Sequence, residues 1–180
     1  TPRCAPPAAA TPTSPDPMAT STIPAVKRAL LARLQADANL AGVTVSWQTP
    51  YPAVPSSGEC VGLGNSISDD AFRGSPYGAG QTAASIGRLA REERYGIEVF
   101  VHVRTSVHDG QQACTERAFV LAGYVETSIR TWALTTPAAF DGACAGAFVV
   151  SLTHAEGVLA GDPSQCGCDV RIVVGCRARI

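Results

Sequence analysis

The residues best suited to bind a metal lie near the end of the chain. Cys166 and Cys168 are separated by one residue, His154 precedes them and Cys176 follows them. This CxC spacing differs from the two-residue spacing of a zinc knuckle, and no second pair completes such a site. Cys168 and Cys176 also fall on one predicted strand, roughly 25 Å apart at the rise of an extended chain. We therefore expect no metal site and no cofactor. A zinc-binding module and an occasional disulfide are the alternatives.

Residues suited to acid–base or nucleophilic catalysis are scattered along the chain. His102 and His108 flank the end of a predicted strand, and Asp109 is the nearest carboxylate in the sequence. Ser85 and Ser106 lie in no nucleophile elbow, and the glycines form neither a P-loop nor a strand–GxGxxG–helix pattern. These residues form no catalytic constellation, so we expect that the protein is not an enzyme. A small enzyme is the alternative, and it would need a pocket with convergent polar groups.

Arginines form the remaining group of candidate binding residues. Two of them accompany Glu92 and Glu93, a mixture of signs that is untypical of a phosphate-binding stripe. Three more occur on the final predicted strand, where they point away from the apolar face. The alternative interpretation is that the arginines of the final strand are ordinary solvated residues with no binding role. The candidate interface residues are Arg91, Arg94, Arg171, Arg177 and Arg179.

The composition indicates one domain with a substantial core. The chain has 180 residues, of which 46% are hydrophobic and 16% charged, too apolar for a disordered protein. A net charge of −1 gives no overall attraction to nucleic acid or to an anionic membrane. No apolar run approaches the ~20 residues of a membrane span, and the first 17 residues lack the apolar region of a signal peptide. We expect cytoplasmic synthesis with reduced thiols, and the odd count of seven cysteines agrees with this.

A strand followed by a helix organises the chain. Apolar residues alternate with polar ones from Ile97 to Val103, which predicts a strand within Leu89–Thr105 with one buried face. After a short break, apolar residues recur every three to five positions and predict a helix over Asp109–Thr131. A long strand leading into an amphipathic helix is typical of the core of a small α+β domain.

The other elements complete an α+β fold in the order α-β-β-β-α-β-β. We expect a mixed or antiparallel sheet of about five strands with both helices packed on one face. Thr22 is expected to cap the first helix, with Pro24 in its first turn. Turn residues are expected from Gly157 to Gly167. The further predicted elements are a helix over residues 22–39 and strands over residues 43–47, 59–63, 147–154 and 168–180.

The chain divides into an arm and a single domain. Residues 1–20 are rich in proline, alanine and threonine without periodicity, which predicts an arm that is disordered or ordered by a partner. Residues 21–180 form the α+β domain. Residues 64–87 lack a clear pattern and are predicted to be a long loop of functional importance.

Several segments resemble the tail terminator, or tail completion, proteins of long-tailed, siphovirus-like bacteriophages. The resemblance covers about residues 21–180 and begins with a helix and strand reading STIPAVKRALLARLQADANLAGVTVSW. It continues through REERYGIEVFVHVRT, the helix ERAFVLAGYVETSIR and the closing CDVRIVVGCRARI. The long loop and the number of cysteines depart from the family pattern, and the N-terminal arm has no counterpart in it.

The resemblance implies a structural virion protein that acts without a cofactor or a membrane. Tail terminators form a ring, expected here to be a hexamer, that caps the tail tube, stops its polymerisation and docks to the head. The implied partners are other copies of the chain, the tail tube protein and the head–tail connector or stopper protein. No sequence-specific nucleic-acid contact is implied, although DNA passes through the lumen of such a ring. A head–tail connector or another minor tail protein is the alternative.

A ring requires two different complementary patches on each subunit. Unpaired sheet edges are suited to this, because their free backbone groups pair with another chain. We expect such edges at residues 147–154, at residues 168–180 and in the extension formed by residues 89–94. The loop of residues 64–87 is expected to face the tail tube or the lumen.

Overall fold

The computed structural model describes residues 21–48, 58–64, 80–83, 91–106, 110–135, 140, 142–159 and 162–179. They form an α+β fold with a mixed sheet and two helices, as the sequence predicted. The helices are α1, Ile23–Gln35, and α2, Gln111–Thr135, and a short 3₁₀ turn spans Ala38–Leu40. The strands are β1 (Thr44–Ser46), β2 (Glu59–Leu63), β3 (Gly80–Ala83), β4 (Arg91–Thr105), β5 (Gly146–Leu159) and β6 (Asp162–Arg179).

The main path through the sheet has the order β1-β2-β4-β6-β5 and ends at the edge strands β1 and β5, while β3 pairs with β4 beside this path. β4 is the central strand: β6 pairs with it along almost its whole length, while β2 and β3 pair with successive parts of its other side. Only the β1–β2 pairing is parallel, which makes the sheet mixed. β5 and β6 form a long antiparallel hairpin with a register shift after Val149.

The core lies between the helices and one face of the sheet. Alternate residues of β4 and β6 point into it, as the period-two pattern requires. The helices contribute apolar stripes at three- to four-residue steps, and both contact this same face. Core residues include Val26, Leu30 and Leu34 of α1, Leu121, Val125 and Ile129 of α2, and Val99, Val101, Ile172 and Val174 of the sheet.

The start of α1 is fixed by a carboxylate from β4. Thr22 occupies the predicted N-cap position, but its side chain makes no hydrogen bond to the backbone of the first turn. The prediction is therefore right about the position and wrong about the capping hydrogen bond. Its backbone N–H and its hydroxyl both donate to Glu93 Oε2 at 2.8 Å, and Ser21 Oγ donates to Oε1 at 2.6 Å. Tyr95, two residues further along β4, meets the Thr22 hydroxyl at 2.9 Å. The helix start is therefore held by a contact 71 residues away in sequence.

Two predicted irregular segments contain regular structure. Within residues 64–87, Gly80–Ala83 forms β3 and pairs with Arg91–Arg94 of β4; the rest of this segment lies outside the described residues except Gly64. The predicted turn region, residues 157–167, is too long, because Gly157 faces Gly167 and the β5–β6 ladder continues to Leu159 and Asp162. Backbone pairing with an extended neighbour overrides the turn preference of these glycines.

These pairings change which edges are available to a neighbouring subunit. β6 lies between β4 and β5, so the expectation that residues 168–180 form an edge is wrong. The extension before residue 95 is also not free, because Arg91–Arg94 pairs with β3 and Glu92–Arg94 also pairs with β6. The expected edge at residues 147–154 is confirmed, since it lies in β5. The N-terminal arm, residues 1–20, lies outside the described residues.

The described cysteines are mostly core residues. Cys60, Cys114, Cys144, Cys168 and Cys176 are buried free thiols, and Cys166 is half-buried. Burial raises the pKa of the Cys60 thiol to about 11. Burial also raises the pKa values of Cys114 and Cys168, which keeps these thiols protonated and unreactive near neutral pH.

Candidate interaction surface

The candidate arginines lie on β4 and β6. Arg94 and Arg177 face each other across the two strands, and Glu92 bonds both. Arg94 Nε lies 2.6 Å from Glu92 Oε1 and Arg177 Nη2 lies 3.0 Å from Oε2. The hydrogen bond from Arg94, followed by that from Arg177, lowers the pKa of the Glu92 carboxyl. Both guanidinium groups remain largely exposed, at 72% and 61% of their side-chain surface.

The other three candidates are placed differently. Arg179 faces Glu92 in the strand register, so it joins the same cluster through its backbone position. Arg91 pairs with Ala83 of β3. Arg171 lies further along β6, opposite Phe100, where it pairs with the buried carboxylate of Glu98. The structure therefore joins Arg94 and Arg177 through Glu92, places Arg179 opposite Glu92 in the register and sets Arg171 apart.

Large exposed hydrophobic side chains reveal a second surface that the sequence analysis did not identify. The described residues expose seven of them, and six lie on β5 or on the neighbouring helix α2. They are Phe119, Val120, Phe148, Val150, Leu152 and Val158. A soluble monomer rarely exposes so many apolar side chains along an unpaired strand, because such an edge is prone to association. We call this surface the β5 edge.

On the helix side of the sheet, the β5 edge is an apolar patch with an acidic rim. The rings of Phe119 and His154 meet edge to face with their centroids 5.2 Å apart, which joins α2 to β5. Leu152 lies on the same side of β5 as His154. Glu116 precedes Phe119 by one helical turn, and Glu156 accepts a hydrogen bond of 2.5 Å from Thr115. Within the described part of the chain, neither glutamate pairs with an arginine or a lysine.

On the other side of the sheet, a glycine makes room for the apolar side chains. Phe148 faces Gly175 in the ladder, and Val150 occupies the register shift beside it. A Cβ atom at Gly175 would lie 2.7 Å from Val150 Cγ2 and 3.1 Å from Phe148 Cζ. The phenyl ring therefore lies over the bare backbone of β6, although 62% of the residue remains exposed. The apolar surface extends to both faces of β5.

The seventh exposed hydrophobic residue, Trp47, lies at the opposite end of the sheet. It follows β1 directly, and Lys27 Nζ of α1 lies 4.5 Å from the centroid of its ring. Lys27 also donates to the carbonyl oxygen of Leu63 at 3.3 Å, and partial burial lowers its pKa. α1 carries Lys27, Arg28 and Arg33 and no acidic residue. We call this basic surface the β1 edge.

The sequence contained weak signals for both edges. The run Ala147–Val150 lacks the polar alternation of a strand with one buried face. Phe119 and Val120 fall outside the apolar stripe of α2, and Trp47 follows a very short strand. None of these features alone separates a core residue from an exposed one, because that distinction depends on the position of β5 at the edge.

The described residues offer no assembled catalytic or metal-binding group. His102 pairs with Asp169 across β4 and β6. The prediction from sequence named Asp109 as the nearest carboxylate and did not identify Asp169. Among the described side chains, no three histidine, cysteine, aspartate or glutamate residues converge as ligands. His108, Asp109 and Ser85 lie outside the described ranges. In the same ranges, no helix combines the length and apolar character needed to span a membrane.

Comparison with solved structures finds a similar fold in a virus-like particle. The matched chain belongs to a structure described as the virion of a native gene transfer agent particle. The TM-score is 0.52 at 14% sequence identity, and the match covers 89% of this chain and 100% of that chain. No protein-family model and no curated protein sequence matches. At this identity the similarity establishes a shared fold.

Proposed function

We propose that this protein is a structural component of a phage-like virion and, within it, a tail terminator. Its copies form a ring, expected to be a hexamer, that caps the tail tube, ends tube polymerisation and provides the surface to which the head docks. The ring has no catalytic activity and needs no cofactor or membrane. DNA passes through its lumen without sequence-specific contacts.

The observation that supports this proposal most directly is the fold. A chain of a gene transfer agent virion has the same fold, and the match spans the whole of that chain. The sequence resemblance to tail terminators, which covers about residues 21–180, supports the same class of protein. The apolar β5 edge adds independent support, because a protein that works alone gains nothing from exposing six large hydrophobic side chains beside an open strand.

The arginine cluster is proposed as a docking surface for another virion protein. Arg94 and Arg177 are exposed, and Glu92 holds both in fixed positions. A guanidinium that is already oriented loses less conformational freedom when it binds a carboxylate of a partner. Arg91, Arg171 and Arg179 lie on the same two strands and are proposed as further interface residues, with Arg171 set apart from the cluster by its pairing with Glu98.

The proposal is tested by light scattering and negative-stain microscopy of the full chain, alone and with tail tube protein. Sixfold rings, or rings that form when tube protein is added, are the expected result. A strict monomer that ignores tube protein but binds a portal–connector complex would instead identify a head–tail connector or stopper. A monomer that binds neither tube protein nor the portal–connector complex would overturn the virion assignment. The alternatives would then be a small enzyme or a zinc-binding module.

The segment of residues 64–87 is proposed to contact the tail tube or the lumen. A deletion that tests this must spare β3, because Gly80–Ala83 pairs with β4 and removing it would unpair part of the central strand. Removing residues 66–78 is expected to leave the unfolding transition unchanged and to abolish tail capping. Normal capping by this variant would contradict the role.

A further inference from the structure

The two edges of the sheet differ in a way that suits them to bind each other. In the order β1-β2-β4-β6-β5, the edges face away from one another at opposite ends of the molecule. All seven large exposed hydrophobic side chains of the described residues lie at these ends, with Trp47 at one and the other six at the other. Where apolar surface is exposed at two opposite ends, two partners or two neighbouring copies can cover it.

The charges at the two edges are complementary. α1 carries three basic side chains and no acidic one; Lys27 lies against Trp47 at the β1 edge, and neither Arg28 nor Arg33 has an acidic partner among the described residues. At the β5 edge, Glu116 and Glu156 rim the apolar patch without a basic partner in the described ranges. The arginines of α2 are already engaged: Arg117 bonds Glu59 at 2.8 Å, and Arg130 bonds Glu126 at 2.6 Å. Among the described residues, the acidic character of this edge is therefore not neutralised by a basic side chain.

We propose that the β5 edge binds the β1 edge of a second copy of this chain, with Trp47 of that copy lying on the patch of Phe119 and Leu152. Tryptophan is favoured as such an anchor, since it buries a large area at a small cost in conformational entropy. The basic side chains of α1 then face Glu116 and Glu156 across the contact, and this charge pairing fixes the orientation of one copy relative to the other. The occupant is a second copy because the complementary surface is present on the chain itself.

This arrangement is head to tail, so each copy uses one edge of each kind and the contact repeats. Such a contact closes into a ring when the rotation between neighbours closes. A contact between two β5 edges would be isologous and would stop at a dimer. The contact between the two edges would be the subunit interface of the proposed ring, so the inference rests on the proposed function. The experiment that tests it measures self-association alone.

The test is sedimentation of the full chain and of two single variants, Trp47→Ala and Phe119→Asp, at increasing concentration. Wild type is expected to form assemblies larger than a dimer. Each variant alone is expected to remain monomeric, because each has lost one edge. A mixture of the two is expected to form a dimer and nothing larger, since the intact β5 edge of one variant binds the intact β1 edge of the other.

A pair of charge variants gives the same test with less risk to folding. Glu116→Gln is expected to weaken association about tenfold or more, and added salt is expected to reduce this difference by screening. Glu126→Gln is the matched control on the same helix, because its carboxylate is already paired with Arg130. Circular dichroism and thermal unfolding establish that each variant is folded.

Three results would overturn the inference. They are a Trp47→Ala variant that assembles as wild type, a mixture that stays monomeric, and a wild-type chain that remains monomeric at the highest concentration reached. Failure of the proposed function looks different: an assembly that forms through these edges but does not bind tail tube protein leaves the edge contact standing and removes the terminator role.

Discussion

At the scale of single residues, Glu93 shows how one buried side chain connects distant parts of the chain. Its carboxylate is fully buried in β4 and accepts hydrogen bonds from the hydroxyl of Ser21 and from the backbone and hydroxyl of Thr22. A carboxylate without such donors would be costly to bury. The donors come from the first turn of α1, where backbone N–H groups have no partner within the helix. Glu93 therefore holds α1 against the central strand.

Replacing Glu93 by glutamine tests this connection. The change keeps the size of the side chain, but an amide nitrogen replaces one acceptor oxygen and leaves buried donors unpaired. The free energy of unfolding is expected to fall by about 1–3 kcal/mol, measured by urea denaturation. Glu126→Gln, which disrupts an exposed pair on α2, is expected to cost less than about 0.5 kcal/mol. Equal effects of the two changes would contradict the role of Glu93.

Glu92, the neighbouring residue, is expected to contribute to the pH dependence of stability. Its carboxyl pKa is lower in the folded protein than its ordinary value of 4.5, because Arg94 and then Arg177 bond the charged form. Its contribution is therefore present above pH 4.5 and is lost as the pH falls through the lowered value. The drop in stability between neutral and acidic pH should be smaller in Glu92→Gln. An unchanged acid profile, measured by urea denaturation across this range, would show that the pairs contribute nothing.

At the scale of elements, Gly58 controls how β2 approaches β4. It lies directly before β2 with a φ of 70°, and its carbonyl oxygen accepts a hydrogen bond of 2.7 Å from the backbone N–H of Arg104. A Cβ atom at this position would lie 2.6 Å from the Arg104 carbonyl oxygen. The sequence shows only a glycine after a proline-containing loop. The close approach depends on a strand that begins more than 30 residues later.

Alanine at Gly58 is expected to lower the free energy of unfolding by about 2–4 kcal/mol, through the left-handed backbone and the contact with Arg104 together. Gly42 is the matched control, because its φ is 85° but no atom lies within 4 Å of its added Cβ. Gly42→Ala should cost only about 1–2 kcal/mol. Denaturation of the two variants measures the difference in the free energy of unfolding. An equal cost would mean that β2 moves away from Arg104 without a further loss of stability.

At the scale of the whole molecule, the sheet order gives the protein two unlike ends. One is basic and carries Trp47, and the other is acidic at its rim and carries most of the exposed apolar surface. The central strand is paired on both sides, and the outer strands β1 and β5 lie at opposite ends of the main strand order. The exposed guanidinium groups of Arg94 and Arg177 lie away from both ends.

Association through these ends should make thermal stability depend on concentration. Assembly stabilises the folded chain by mass action. A tenfold rise in concentration adds at most about 1.4 kcal/mol for one contact, which corresponds to a rise of about 3–5 °C in the midpoint for a chain of this size. Scanning calorimetry over two decades of concentration measures this effect. Trp47→Ala should show a constant midpoint, and a persistent dependence in that variant would place the contact elsewhere.

The sequence by itself determined the class of the fold and most of its core. The alternation around Ile97–Val103 and the stripe of α2 identified β4 and α2, because burial on one side imposes a period of two on a strand and 3.6 on a helix. It also identified the arginines of β4 and β6, although it could not show that Glu92 joins two of them. Features that depend on local periodicity can therefore be predicted from the sequence alone.

The tertiary structure alone decided strand order, the extent of the β5–β6 hairpin and the identity of the exposed apolar residues. Phe140 is fully buried against Trp132, with ring centroids 4.7 Å apart, although it belongs to no helix or strand. Phe148 and Val150 are exposed although they belong to an apolar strand. Whether an apolar side chain is covered depends on its neighbours in space, and β5 has a neighbour on one side only. The candidate interface follows from that position, which no local pattern encodes.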